Sequence, residues 1–103
     1  SKPAKRNAHT DLAEIIRAAQ GGTGLVYCLS QKNCCELSGA LERQGIRAAP
    51  YHAGLPAAER KWTQAGWMDN EIQVVVATVA FGMGINKPDV RFVVHFSLPS
   101  SLQ

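Results

Sequence analysis

Thr78, Gly82, Gly84 and Asn86 lie close together between two apolar runs that read as buried strands over 72–78 and 91–96. A glycine has no Cβ, so the backbone N–H groups around Gly82 and Gly84 can face an anion at close range. Thr78 adds a hydroxyl at a strand end, and Asn86 adds a side-chain amide. The chemistry this points to is non-covalent: a phosphate held at the carboxyl edge of a parallel sheet, where α/β proteins place ligands. The same residues have plainer uses, Gly-x-Gly as an ordinary turn and Thr78 as a β-branched strand residue.

A second group sits at other strand ends. Ser30 follows an apolar run and precedes a helical pattern, so its hydroxyl either caps the helix or, with the following N–H groups, binds a phosphate. Lys32 places a cation beside it. His52, in Tyr51-His52-Ala53-Gly54, reads as a hydrogen-bonded structural residue or a polar contact at a strand end. Asp89 and Arg91 are spaced for a salt bridge at the loop base. His9, His52 and His95 have no ligand spacing with one another or with the cysteines, so no metal site is expected. Trp67 reads as partly exposed, and Trp62 as core.

These residues need a framework of alternating helices and strands. Thr10 is a plausible N-cap, and Leu12, Ile15, Ile16 and Ala19 mark one helical face before Gly21-Gly22. A strand over 24–29 leads into a helix capped by Ser30 that runs to about residue 44. Its buried side carries Cys34, Leu37 and Leu41, and Gly45 is its stop. A strand over 46–51 follows. Pro56 suits the first turn of a helix to about residue 69, with Ala58, Trp62 and Ala65 as packing face and Glu59, Arg60 and Lys61 outside. Gly66 inside that helix costs about 1 kcal/mol relative to alanine. The alternation predicts an α/β fold: a parallel sheet, right-handed crossovers and helices on both faces.

Composition agrees with a globular domain. The 103 residues are 46% apolar and 18% charged, enough for one core of modest size. Residues 1–8 read as a polar tail or linker and 9–103 as the domain. The net charge of +3 is compatible with nucleic acid. No apolar run reaches the roughly 20 residues that span a bilayer, and no signal peptide is expected. Three cysteines, with Cys34 and Cys35 adjacent, form no disulfide framework and suit a reducing compartment. Cys28 reads as core; Cys34 or Cys35 could be partly exposed.

Residues 77–91 resemble motif V of the RecQ family of DNA helicases. Gly24-Leu25-Val26-Tyr27-Cys28-Leu29-Ser30 with Gln31-Lys32 looks like motif IV of that family, and Tyr51-His52-Ala53-Gly54-Leu55 like the segment after it. Their order is that of the second RecA-like lobe, a fold of the P-loop NTPase type. Two positions depart from the pattern: Gln31, where many relatives carry Arg, and Asn86, where many carry Asp.

The resemblance implies an incomplete second lobe of an ATP-dependent 3′–5′ helicase acting on single-stranded and forked DNA together with a first lobe. It implies nucleic-acid contacts at Ser30, Lys32, His52, Ala53, Gly54, Thr78, Phe81, Gly82 and Met83, and coupling to ATP at Gly84, Asn86 and Asp89. No catalytic residue is expected in this stretch. ATP and Mg2+ would be held mainly by the other lobe, since no Gly-x-x-x-x-Gly-Lys-Ser/Thr loop occurs here. The family's arginine finger and zinc module would follow residue 103. Roles in DNA repair and recombination are implied, and Gln31-Lys32 with Ser97-Leu98-Pro99 look closer to eukaryotic members, which suits the nucleus. Three rivals stay open. A DEAD-box RNA helicase lobe usually has Arg where Met83 stands; a non-catalytic docking module would also lack the ATP loop; a dinucleotide-binding domain would want Gly-x-Gly-x-x-Gly after the first strand.

Overall fold

The computed structural model describes residues 8–78 and 87–96. In chain order the elements are α1 (Ala8–Ala18), β1 (Thr23–Cys28), α2 (Gln31–Arg43), β2 (Ala48–Tyr51), α3 (Ala57–Met68), β3 (Val74–Thr78) and β4 (Val90–His95). The strands form one sheet in the order β2-β3-β1-β4, with every pair parallel. Each crossover helix lies on a different face. The chain moves outward from β1 to β2 with α2 on one face and back from β2 to β3 with α3 on the other, so both connections have one hand, as the crossover rule requires.

Strand periodicity sorts the core into two layers. Val26, Cys28, Val74 and Val76 point to one face and meet Leu12, Ile16, Leu37 and Leu41 of α1 and α2. Leu25, Val75 and Ala77 point to the other and meet Trp67 and Ile72. Because β3 is covered on both sides, it reads as the unbroken apolar run Val74-Val75-Val76-Ala77. β4 alternates instead: Phe92 and Val94 pack inward while Arg91, Val93 and His95 face out. Among the described residues α3 packs on β2 and β3, so the sheet face beyond them stays open at β4, where Val93 is 49% exposed.

Helix ends follow local chemistry. Ser30 caps α2, its hydroxyl accepting the Asn33 N–H at 3.0 Å. α3 closes with paired Schellman bonds: the Glu71 N–H donates to the Gly66 carbonyl at 2.7 Å and the Asn70 N–H to the Trp67 carbonyl at 3.1 Å. The residue between them that must turn left-handed is Asn70, at φ +64, a type that tolerates this conformation. Two glycines are set by close approach. A Cβ on Gly24 would lie 2.1 Å from the Phe92 ring, and one on Gly66 would lie 2.9 Å from Ile72 Cδ1. The cost of glycine inside α3 therefore accompanies tight packing of Ile72 against it.

Several sequence expectations are corrected. α1 already includes Ala8, so Thr10 lies within the helix and is not its N-cap. Ile15 is 48% exposed, whereas Leu12 and Ile16 are buried as expected and Ala13 joins them. On α3 the two tryptophans exchange roles, with Trp67 at 1% exposure and Trp62 at 67%. Ala58 and Ala65 are exposed as well, and the buried face is Thr63 and Trp67. The deciding contact is the Trp67 indole N–H, which donates to the Gly24 carbonyl at 3.1 Å in the core. Pro56 is the N-cap of α3 rather than part of its first turn, and it makes no side-chain cap bond.

Candidate nucleic-acid interface

Strand register brings the sequence-predicted residues to one edge. Tyr51 pairs with Ala77, Ala77 with Tyr27 and Tyr27 with His95, a level row across all four strands. One residue further along, Cys28 is level with Thr78, and His52 follows Tyr51. Ser30, His52–Gly54 and Thr78 thus lie together at the carboxyl edge of the sheet, although they are far apart in sequence.

Ser30 sits in extended backbone at φ −133 and ψ 160, and its carbonyl accepts the Cys34 N–H at 3.0 Å. Its hydroxyl uses a lone pair for the Asn33 N–H, which leaves the O–H hydrogen available to an outside acceptor. Lys32, in the first turn of α2, is exposed. Thr78 closes β3 and is 5% exposed, on the same sheet face as Val74 and Val76.

His52 is 5% exposed, and both ring nitrogens are engaged within the protein. Nδ1 accepts the Gly54 N–H at 3.0 Å, and Nε2 lies 3.5 Å from the Cys35 sulfur. With Nδ1 accepting, a neutral ring carries its hydrogen on Nε2 and donates toward that sulfur. The ring therefore shapes the turn, while Ala53 and Gly54 are exposed. Arg60 completes the turn from α3, its guanidinium donating to the Leu55 and Ala53 carbonyls. The sequence placed Arg60 on the outward face of this helix, and no local pattern marks it as a loop clasp.

Lys87 is the residue the sequence reading missed most clearly. It stands just after the glycine-rich loop with its side chain 2% exposed. Its ammonium donates to Asn70 Oδ1 at 2.6 Å, to Asp89 Oδ1 at 2.9 Å and to the Met68 carbonyl at 3.4 Å, and it lies 6.0 Å from the Trp67 ring. Asp89 thus pairs with Lys87, not with Arg91 as the spacing suggested. That hydrogen bond holds the Asp89 carboxyl below its ordinary range, and the charges of Lys87 and Arg91 act in the same direction.

Phe81, Gly82, Met83, Gly84 and Asn86 lie outside the described residues. Among the cysteines, hydrogen bonding to Cys28 together with burial pushes the Cys34 thiol above its usual range, which makes it a core group and a poor nucleophile. Cys35 is the exposed one. Among the described residues no group of three or more His, Cys, Asp or Glu could hold a metal ion. No described helix is long and apolar enough to cross a membrane.

The family described as the helicase conserved C-terminal domain matches residues 7–103. The chain belongs to that family. This helicase lobe is 54% identical over 99 residues to the ATP-dependent helicase SGS1 of Saccharomyces cerevisiae, a match covering 95% of the chain and 7% of that protein. It is 49% identical over 94 residues to ATP-dependent DNA helicase Q1 of Rattus norvegicus, covering 90% and 15%, and 51% identical over 83 residues to the RecQ-like DNA helicase blm-1 of Caenorhabditis elegans, covering 81% and 8%. The lobe thus spans less than a sixth of each of these relatives.

Solved structures place the fold. The helicase domain of Hef from Pyrococcus furiosus superposes with a TM-score of 0.76 at 24% identity, over 87% of this chain and 20% of that one. Dbp5 of Saccharomyces cerevisiae bound to RNA and ADP BeF3 gives 0.78 at 24%, over 90% and 24%. The helicase lobe therefore has a RecA-like α/β fold: the alternation of elements predicted the parallel sheet, and the resemblance to RecQ helicases implied its RecA-like type.

Proposed function

We propose that this chain is the second RecA-like lobe of a RecQ-type, ATP-dependent 3′–5′ DNA helicase, and that its carboxyl sheet edge tracks the backbone of single-stranded DNA. The observation that carries the reading is the level arrangement of Ser30, His52–Gly54 and Thr78 at one edge. Short hydroxyls and backbone at strand ends recognise phosphates without reading bases, which suits an enzyme that must move along any sequence. Ser30 offers its O–H and Lys32 a charge to one phosphate. Ala53 and Gly54 offer an exposed turn fixed by His52 and Arg60, and Thr78 a hydroxyl at the mouth of the glycine-rich loop. Contacts at Phe81, Gly82 and Met83 belong to the same proposal.

ATP and Mg2+ belong to the parent protein, where the nucleotide supplies the energy for closure against the first lobe. Gly84, Asn86 and Asp89 are proposed to couple the loop to that nucleotide. Of these Asp89 is described, and its carboxylate, bonded to Lys87, is suited to fixing the loop base. Work on forked DNA, in repair and recombination and in the nucleus, is part of the same proposal.

The test uses the full-length protein that contains this chain. Thr78→Ala should weaken oligo-dT binding and DNA-stimulated ATP hydrolysis while ATP binding without DNA is retained, with a loss of about 0.5–1.5 kcal/mol for one hydrogen bond. Unchanged DNA affinity together with a lowered melting temperature would make Thr78 purely structural. Unwinding of RNA duplexes in preference to DNA would reject the DNA helicase reading.

A further inference from the structure

A second surface borders the proposed DNA edge, which it meets at Leu55. A cleft of about 640 Å³ runs along the outer edge of β2, which pairs with no further strand among the described residues, between the end of α2, the start of α3 and the segment leading into β3. It contains none of Ser30, Lys32, His52–Gly54 or Thr78. Its polar lining is mainly acidic: Glu42, Glu59 and Glu71 contribute carboxylates, all three exposed. Arg47 is the basic residue there, and its guanidinium already donates to the Asn70 and Glu71 carbonyls at 3.3 and 3.0 Å. Among the described residues no ion pair neutralises the three carboxylates.

Trp62 lies in the same lining, 67% exposed on α3, with Leu55 half-buried beside it. An exposed tryptophan in a helix whose other tryptophan is buried contributes nothing evident to the core. An indole face with carboxylates around it is the arrangement that attracts a guanidinium, by cation–π attraction and charge-assisted hydrogen bonds. Nucleic acid does not fit, because phosphates would meet like charge. Strand addition along β2 is also disfavoured: Pro50 has no N–H to donate, and edge prolines block such pairing.

We propose that this cleft is a docking site for a basic segment of a partner protein, in which an arginine side chain lies over Trp62 between Glu59 and Glu71 and a neighbouring apolar residue meets Leu55. The chain carries a net charge of +3, so the acidic lining is a local inversion of its overall sign. Charge complementarity selects the partner, and the indole supplies the anchor.

The full-length protein containing this chain is titrated with a fluorescein-labelled peptide of sequence Gly-Arg-Leu-Arg-Gly and with the same peptide carrying Glu for Arg. The arginine peptide should bind and the glutamate peptide should not. Trp62→Ala, and separately the double variant Glu59→Gln with Glu71→Gln, should each weaken binding about tenfold or more, with the melting temperature unchanged. Equal binding of the two peptides overturns the proposal, as does an affinity that survives Trp62→Ala. If sedimentation shows a dimer that Trp62→Ala dissolves, while the arginine peptide fails to bind, the occupant is a second copy of the chain and the proposal is likewise overturned.

Discussion

The Lys87 ammonium lies 2.6 Å from Asn70 Oδ1, so a buried cation beyond the glycine-rich loop holds the residue that reverses the chain at the end of α3. Asn70 is at once the left-handed Schellman residue and a ligand of Lys87, and Asp89 answers the charge from the turn just before β4. One ammonium thereby ties the end of α3 to the point where the loop re-enters the sheet.

This arrangement predicts an unequal pair of substitutions. Asp89→Ala leaves the buried ammonium with neutral acceptors alone, whereas Lys87→Met keeps the apolar stem and removes the charge. Asp89 is 56% exposed and stays solvated when its partner is removed, so Lys87→Met leaves no uncompensated buried charge and should lower the urea midpoint only modestly. Asp89→Ala should lower the urea midpoint by more. The reverse order in urea denaturation would show that the cluster stabilises chiefly through Lys87's own donors.

Asp89 also sets a pH dependence. Its carboxyl is held below the ordinary value of 3.8, so its contribution to stability is fully present above that value and is lost as pH falls through the depressed folded value. Asp89→Asn should therefore be less stable than wild type near neutrality, and the gap should close on acidification below the ordinary carboxylate range. Thermal melts of both proteins from neutral to strongly acidic pH measure this. A gap that stays constant across the range would mean that Lys87 does not favour the charged form.

Much of this was legible in the chain and some was not, for reasons specific to each residue. The buried run at β3 and the cap at Ser30 are local signals, set by one strand's burial and one hydrogen bond across a single turn. The face of α3 is different. Ala58, Trp62 and Ala65 make an apolar stripe at helical spacing as good as Thr63 and Trp67 do, and periodicity cannot choose between them. The choice is made by the Gly24 carbonyl, which lies 43 positions away in sequence and offers a buried acceptor to one indole. Lys87 was invisible for the same reason: a lysine after a loop reads as solvated until Asn70 and Met68 are brought to it. The carboxyl-edge residues could be nominated singly, but only the parallel register puts them at one level.

The two tryptophans should behave oppositely on mutation. Trp67→Phe removes the indole donor to the Gly24 carbonyl, which keeps its place in the β1–β3 ladder, and loses some packing, for about 1–3 kcal/mol. Trp62→Ala touches an exposed side chain and should stay within about 0.5 kcal/mol. Denaturant titrations of both variants decide it, and comparable losses would contradict the burial assigned to α3.

Buried polar groups give a further test at Thr23, whose hydroxyl is buried with no hydrogen-bond partner among the described residues. Valine has nearly the same shape and brings no polar atom to be desolvated, so Thr23→Val should be neutral or stabilising by up to about 1 kcal/mol. A clear loss of stability would reveal a hydrogen bond that the hydroxyl makes in solution.

Ser30 allows capping and DNA contact to be separated, although both use the same hydroxyl. Ser30→Ala removes the acceptor for the Asn33 N–H and should cost about 1 kcal/mol of stability, whatever the residue does for DNA. A drop in oligo-dT affinity in that variant alone would thus be ambiguous. Aspartate caps a helix as well as serine does and favours the positive end of the helix dipole, so Ser30→Asp should restore the melting temperature. It also places a negative charge where a phosphate is proposed to sit. If Ser30 contacts the DNA backbone, Ser30→Asp in the full-length protein should bind oligo-dT more weakly than Ser30→Ala despite being more stable, with the difference largest at low salt. Wild-type affinity in Ser30→Asp would leave Ser30 as a helix cap alone and move the phosphate grip to the turn at Ala53–Gly54 and to Thr78.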